Sequence, residues 1–189
     1  MFPTVLEGTL MKKFGILFAA LIGIFIVVGL FLPTQYTVTR TQVISGKPAV
    51  IHAYVDDLTK WNGWAPWKDE DPSLTITLGD KTSGVGASQS WVGKDGNGSL
   101  IFTQSSPDRG IDYDLSFNDG MYKCSAFIHY RDLGGNTHVT WTMTGDMAVP
   151  VVGGYLALTM DSMAGPMFQR GLTQLKNVVE SKQNSRKKS

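Results

Sequence analysis

The chain opens with a long apolar stretch and then changes to short segments of alternating polarity. Residues 14–32 are uninterrupted by any charged or polar side chain, follow Lys12 and Lys13, and are closed by Pro33. This length suits one membrane-spanning helix, and a helix satisfies its own backbone hydrogen bonds in lipid. Residues 14–32 are therefore predicted to form a transmembrane anchor.

A cleaved secretory signal is the alternative interpretation of this stretch. The run is longer than a usual signal core, and its end, residues 29–33, lacks the small-x-small pattern of a cleavage site, so a retained anchor is favoured. The lysine pair should stay cytoplasmic, which places the following domain on the periplasmic or extracellular side of the cell membrane. Arg40 and Lys47 lie soon after the run and weaken this charge bias. Separately, Met11 would be a more natural start than Met1.

Beyond Pro33 the polarity alternates with a period of two. Residues 36–44 predict a strand, and a helix is expected from Pro48, which suits a first helical position, through Thr59. A loop rich in tryptophan follows at residues 61–67. Six further antiparallel strands are predicted between turn sequences, at residues 74–78, 87–92, 99–105, 111–117, 121–131 and 138–144.

The period changes again near the C-terminus. Residues 151–162 predict a helix, Gly165 and Pro166 interrupt it, and a long amphipathic helix follows. One apolar face of that helix carries Phe168, Leu172, Leu175 and Val179. The order of elements predicts an α+β fold in which a curved antiparallel sheet grips one long C-terminal helix.

Several short motifs accompany this order of elements. They are DDL at residues 56–58, WNGWAPW at 61–67, GVGAS at 84–88 and MDSMAGP at 160–166. With them the chain resembles membrane-anchored members of the SRPBCC (START/Bet v 1-like) superfamily, often labelled polyketide cyclase/dehydrase and lipid-transport proteins. The resemblance implies a helix-grip domain over residues 34–181, preceded by a short segment at 1–13 and the anchor, with a cavity for an apolar ligand between sheet and helix.

Charge and cysteine content exclude several classes of function. Residues 34–180 hold 11 basic and 15 acidic residues, a net charge of −4, which is unsuited to a nucleic-acid partner. Cys124 is the only cysteine, and with three scattered histidines the sequence has no zinc or haem spacing. No metal or cofactor is predicted. The basic tail at residues 182–189 is expected to be disordered.

Strand alternation predicts which polar residues face the cavity. Asp112 and Asp114 should face solvent, since Tyr113 and its apolar neighbours point inward. His129 and His138 also fall on outward positions, and His52 is expected on a helix surface. No histidine is therefore placed for general-base work in the cavity.

The inward positions give a set of candidate ligand-binding residues. Gln89 and Gln104 could orient a ligand or bond to the backbone, and Cys124 is expected to be a small buried hydrophobe. The loop tryptophans could form a lid, pack in the core or lie at the membrane interface. The candidates are Trp61, Trp64, Trp67, Gln89, Trp91, Phe102, Gln104, Tyr113, Cys124, Trp141, Tyr155 and Met160, of which Tyr155 and Met160 could instead be core residues.

These features favour a membrane-tethered binding module for a lipid or other hydrophobic small molecule. One alternative is a cyclase- or dehydratase-like enzyme, which would need Tyr113, Cys124 or Tyr155 as a titratable inward group. The other is an envelope interaction protein whose own side chains fill the cavity.

Overall fold

A computed structural model describes residues 4–187, and it has four α-helices and seven strands in that range. The helices are α1 (Thr4–Phe31), α2 (Pro48–Val55), α3 (Trp67–Glu70) and α4 (Gly153–Lys187), with a 3₁₀ helix at Leu58–Gly63. The strands are β1 (Gln35–Ser45), β2 (Thr75–Leu78), β3 (Ser88–Gly93), β4 (Gly96–Ser106), β5 (Gly110–Phe117), β6 (Tyr122–Asp132) and β7 (Asn136–Asp146).

The strands form one antiparallel sheet in the order β1-β7-β6-β5-β4-β3-β2. The long helix α4 packs on one face through Phe168, Leu172, Leu175 and Val179, all of them buried. This is the apolar face that the sequence predicts, and the α+β helix-grip fold is confirmed. Near its far end α4 is fixed to β1, because Glu180 accepts a hydrogen bond from the backbone N–H of Ser45 at 2.9 Å.

The predicted break in the last helix is wrong, since α4 runs through Pro166 without interruption. Proline lacks an N–H and crowds the preceding turn, but Pro166 lies on the exposed side of α4 while Ala164 and Gly165 are buried against the sheet. Residues 182–187 are likewise helical rather than disordered. The remaining parts of the predicted terminal segments, residues 1–3 and 188–189, lie outside the described residues.

In α1, the stretch Met11–Phe31 is long and apolar enough to cross a membrane, a test that a signal sequence also passes. Most of its side chains are exposed, as the outer surface of a lipid-facing helix would be. Only residues 32–34 separate α1 from the start of β1.

The strand register defines which end of the sheet lies next to α1. One row of paired residues crosses the sheet through Tyr36, Gly145, Cys124, Leu115, Leu100, Gln89 and Leu78. On one side of this row lie the start of β1, the end of β7, the β3–β4 turn and the β5–β6 turn. We call this side the anchor-side end of the sheet.

Candidate functional site

A cavity of about 300 Å³ lies between the concave face of the sheet and α4. The strands contribute Leu100, Leu115 and Met143, and α4 contributes Met167 and Phe168. Its surface is mainly apolar, because alternation places these side chains on one face of their strands. The volume is at the small end of the roughly 300–1,000 Å³ typical of ligand pockets.

The charged side chains that line the cavity all lie at its rim. Glu70 and Asp71 come from the end of α3 and Asp95 from the β3–β4 turn, and beside them lie Asn97 at the start of β4 and Asn118 in the β5–β6 turn. Both turns belong to the anchor-side end of the sheet. The mouth of the cavity is therefore on the same end of the sheet as the end of α1.

Asp71 connects two parts of this rim. Its carboxylate accepts hydrogen bonds from the hydroxyl of Ser73 at 2.6 Å and from the backbone N–H of Lys94 at 2.9 Å. The hydrogen bond from Ser73, followed by that from Lys94, lowers the pKa of Asp71. A charged Asp71 thus holds the loop after α3 to the β3–β4 hairpin.

The interior beyond the cavity is filled by aromatic rings. Trp61 and Trp64 are each about 1% exposed, and Trp141 and Phe102 are also buried. The indole N–H of Trp61 donates to the carbonyl of Val55 at 2.8 Å, and that of Trp64 donates to the carbonyl of Tyr54 at 3.2 Å. Since both rings are enclosed and their polar atoms are paired, Trp61 and Trp64 pack in the core and do not form a lid.

Two residues of the cavity wall carry polar groups, Trp67 and Gln89. The indole N–H of Trp67 is buried without a hydrogen bond among the described residues, and Gln89 is 4% exposed. They are donors, and in the case of Gln89 also an acceptor, that an otherwise apolar ligand could use.

The structure thus brings four of the twelve candidate residues to the cavity. These are Trp67, Gln89, Trp91 and Tyr113. Trp61, Trp64, Phe102 and Trp141 form the adjoining aromatic core. Met160 packs at the margin of the core, away from the cavity lining.

The inward orientation predicted for Gln104 is wrong. Phe102 pairs with Tyr113, but the next pair is Gln104 with Asp112, so the register shifts by one residue between them. This β-bulge reverses the alternation, and Gln104 is exposed beside outward-facing Asp112. Ser105 takes the inward position instead.

Cys124 is buried on the inward face next to Tyr36 and pairs with Leu115 of the cavity wall, but it does not line the cavity itself. Burial raises the pKa of Cys124, and burial also raises the pKa of Tyr113. The Tyr113 hydroxyl accepts a hydrogen bond from the indole N–H of Trp141 at 2.8 Å. The thiol and the phenol are consequently protonated near neutral pH.

Tyr155 lies against α1 and not against the cavity. Its ring stacks on Phe25 with centroids 4.5 Å apart, and its hydroxyl donates to the carbonyl oxygen of Phe25 at 2.9 Å. The sequence offered Tyr155 either for the opposite cavity wall or for the core, and that wall is formed by Met167 and Phe168. The spacing along α4 could have identified them, because Phe168 is the first residue of the buried series Phe168, Leu172, Leu175 and Val179, and Met167 directly precedes it.

His52 is also placed differently from its prediction, which was a helix surface. It is 7% exposed and shares the buried face of α2 with Pro48, Ile51 and Val55. Its Nε2 atom lies 3.3 Å from the hydroxyl of Ser105, which donates a hydrogen bond to Asp56. Burial lowers the pKa of His52, opposed by the charge of Asp56. The i, i+3, i+4, i+7 spacing of that face is the signal that sequence reasoning missed.

The outward positions of Asp112, Asp114, His129 and His138 are confirmed by the strand register. On this outer face a carboxylate oxygen of Asp112 lies 2.5 Å from the Nε2 atom of His129. A larger depression, of about 1120 Å³, crosses all seven strands and has a mixed lining, with polar residues such as Thr37 and Asp114 beside apolar ones such as Leu78. It is more open to solvent than the smaller cavity, whose lining is more predominantly apolar, so the smaller cavity is the better candidate for an apolar ligand.

Among residues 4–187, no group of three or more His, Cys, Asp or Glu side chains is placed to hold a metal ion.

Residues 35–180 match the family model described as Polyketide cyclase / dehydrase and lipid transport. Protein CV1439 from Chromobacterium violaceum is similar in structure, with a TM-score of 0.53 and 17% identity over 76% of this chain and 96% of that one. Protein TTHA0849 from Thermus thermophilus has a TM-score of 0.54 and 16% identity, over 77% and 97% of the two chains. For Ara h 8.0201 these values are 0.53 and 15%, over 78% and 99%. A search of the curated proteins gave no match.

Proposed function

Because the chain belongs to the polyketide cyclase/dehydrase and lipid transport family, we propose that it binds a small hydrophobic molecule or a single lipid chain in the cavity between the sheet and α4. The observation that carries this proposal is the mainly apolar lining of that cavity, whose charged residues, Glu70, Asp71 and Asp95, all lie at its mouth. A ligand held there would bury its apolar part and leave its polar end at the rim.

The cavity wall supplies what such a ligand needs. Leu100, Leu115, Met143 and Phe168 offer apolar contact, and methionine side chains adapt to ligands of different shape. The unpaired N–H of Trp67 and the amide of Gln89 can bond to a carbonyl or hydroxyl group on the ligand. Pairing the Trp67 N–H would remove the cost of leaving a buried donor unsatisfied.

The proposal includes a membrane tether that places the domain next to a source of apolar ligands. The apolar helix Met11–Phe31 would hold the chain in the cell membrane, with the domain on the periplasmic or extracellular side. Since the mouth of the cavity and the end of α1 share the anchor-side end of the sheet, the cavity would open toward that bilayer.

The proposal is tested with full-length protein in lipid nanodiscs by native mass spectrometry. Leu100→Trp fills the cavity, whereas Ile101→Trp places the same side chain at the neighbouring outward position, where Ile101 is 48% exposed. We expect the wild-type protein and Ile101→Trp to retain a bound apolar molecule after release from lipid and Leu100→Trp to lose it. Equal retention by the two variants would contradict a ligand in this cavity.

A further inference from the structure

The segment that joins β7 to α4, together with the first turns of α4, is unusually apolar. Residues 147–158 read MAVPVVGGYLAL and carry no charge, and Asp146 and Asp161 are the nearest charged residues on either side. Within it Val152 is 39%, Leu156 45% and Leu158 63% exposed. We call residues 147–158 the docking segment.

The docking segment is in direct contact with the last turns of α1. Besides the stacked rings of Tyr155 and Phe25, the backbone of Val151 lies against Gly29, where any side chain would overlap the Val151 carbonyl oxygen. A side chain at Gly154 would likewise overlap Leu32. Two glycines, one on each helix, therefore allow a close approach that fixes α4 beside α1.

This contact sets the depth of the docking segment relative to α1. Phe25 lies six residues before Phe31, and at 1.5 Å per residue that is about 9 Å below the end of α1. The apolar run 14–32 is only about as long as the hydrocarbon layer is thick, roughly 30 Å. A bilayer that contains this run must therefore also reach the level of Tyr155 and its neighbours.

We propose that the docking segment is a second membrane contact, in which Val152, Leu156 and Leu158 enter the outer part of the same bilayer that holds α1. This rests on the membrane tether in the proposed function. The absence of charge suits the hydrocarbon boundary, and tyrosine favours the interface because its ring is apolar and its hydroxyl polar. The Tyr155 hydroxyl is already paired with the Phe25 carbonyl, so its burial in lipid leaves no unsatisfied donor.

The second contact would fix the orientation of the domain as well as its distance from the membrane. A domain attached only through α1 and a short link could tilt on the membrane. With both α1 and the docking segment in the bilayer, the end of the domain that carries them would stay against the membrane. The mouth of the cavity, on the anchor-side end of the sheet, would then face the lipid surface.

The test uses full-length protein with Cys124→Ala, reconstituted in vesicles and labelled with a fluorophore at one introduced cysteine. The positions are Leu156→Cys in the docking segment, Ile22→Cys in α1 and Leu133→Cys in the β6–β7 turn. Leu133 is 47% exposed, which matches Leu156, but it lies at the opposite end of the sheet. Quenching is measured with spin-labelled lipid and with aqueous iodide.

We expect the labels at positions 22 and 156 to be quenched by spin-labelled lipid and protected from iodide several-fold relative to the label at 133. Iodide quenching at 156 equal to that at 133, with position 22 in lipid, would overturn the docking segment and leave the tether intact. A label at 22 that iodide quenches freely would overturn the tether and the docking segment together.

Discussion

Trp141 and Phe168 stack face to face, with ring centroids 4.4 Å apart and planes inclined by 4°. Trp141 belongs to the aromatic core and Phe168 to the cavity lining. The stack is thus the boundary between the part of the interior that the chain fills itself and the part that remains open. Its aromatic surface sets the depth of the cavity.

Phe168→Ala is expected to join the cavity to the space beside Trp141. Loss of a buried phenylalanine should lower the free energy of unfolding by about 3–5 kcal/mol, and a larger apolar ligand should restore part of it by binding the folded state. Denaturant unfolding with and without added fatty acids of increasing length measures both effects. Met167→Ala, in the same lining but outside the stack, should show a smaller loss and no preference for longer chains.

Trp67→Phe should weaken ligand binding without weakening the fold. The indole N–H of Trp67 has no partner among the described residues, so its removal leaves no acceptor unsatisfied in the free protein. Trp61→Phe is the control, because it deprives the buried Val55 carbonyl of its donor and should cost about 1–3 kcal/mol of stability. Thermal unfolding and ligand titration separate the two. Equal ligand affinity in Trp67→Phe and wild type would remove Trp67 from the site.

Gln104 and His52 show where sequence reasoning succeeds and where it stops. Period-two alternation assigned the inward faces of β5, β6 and β7 correctly, because those strands pair without a shift in register. It failed for Gln104 because a bulge inserts one residue into β4 without a signal in the local polarity. For His52 the spacing with Pro48, Ile51 and Val55 carried a signal, but the face of α2 that is buried is set by its packing on the sheet, a contact between segments far apart in the chain.

The tryptophan motif shows the same limit for the site. The sequence predicts that residues 61–67 carry large rings near the cavity, but it leaves lid, core and interface equally compatible. The structure distinguishes the three rings by their contacts. Trp61 and Trp64 donate hydrogen bonds to the carbonyls of Val55 and Tyr54 and are buried, whereas Trp67 lines the cavity.

Stability should fall as the pH is lowered through the range in which His52 titrates in the unfolded chain. Burial lowers the pKa of His52 below its usual 6.5 in the folded state, so the unfolded state binds more protons between the folded-state pKa and 6.5, and stability rises with pH there. When the free energy of unfolding is measured across this pH window, it should depend less on pH in His52→Gln than in the wild-type protein. An unchanged slope would assign the titration to another group.

Gly29→Leu should separate α4 from α1, because a side chain at this position would overlap Val151 and Tyr155. Gly23→Leu is the matched control, since no atom outside the helix lies within 4 Å of a side chain placed there. Hydrogen exchange of residues 151–156 should become faster in Gly29→Leu and stay at the wild-type rate in Gly23→Leu. Similar rates in both variants would show that the glycine contact does not hold the two helices together.

The link between α1 and β1 limits how the protein can exchange a ligand. Residues 32–34, fully extended, span at most about 10 Å, so a domain whose α1 stays in the bilayer cannot travel as a soluble carrier does. It diffuses laterally with its membrane, and its exchange partners are molecules in that leaflet or proteins that come to it. Delivery across an aqueous gap wider than the domain would require a second, diffusible carrier.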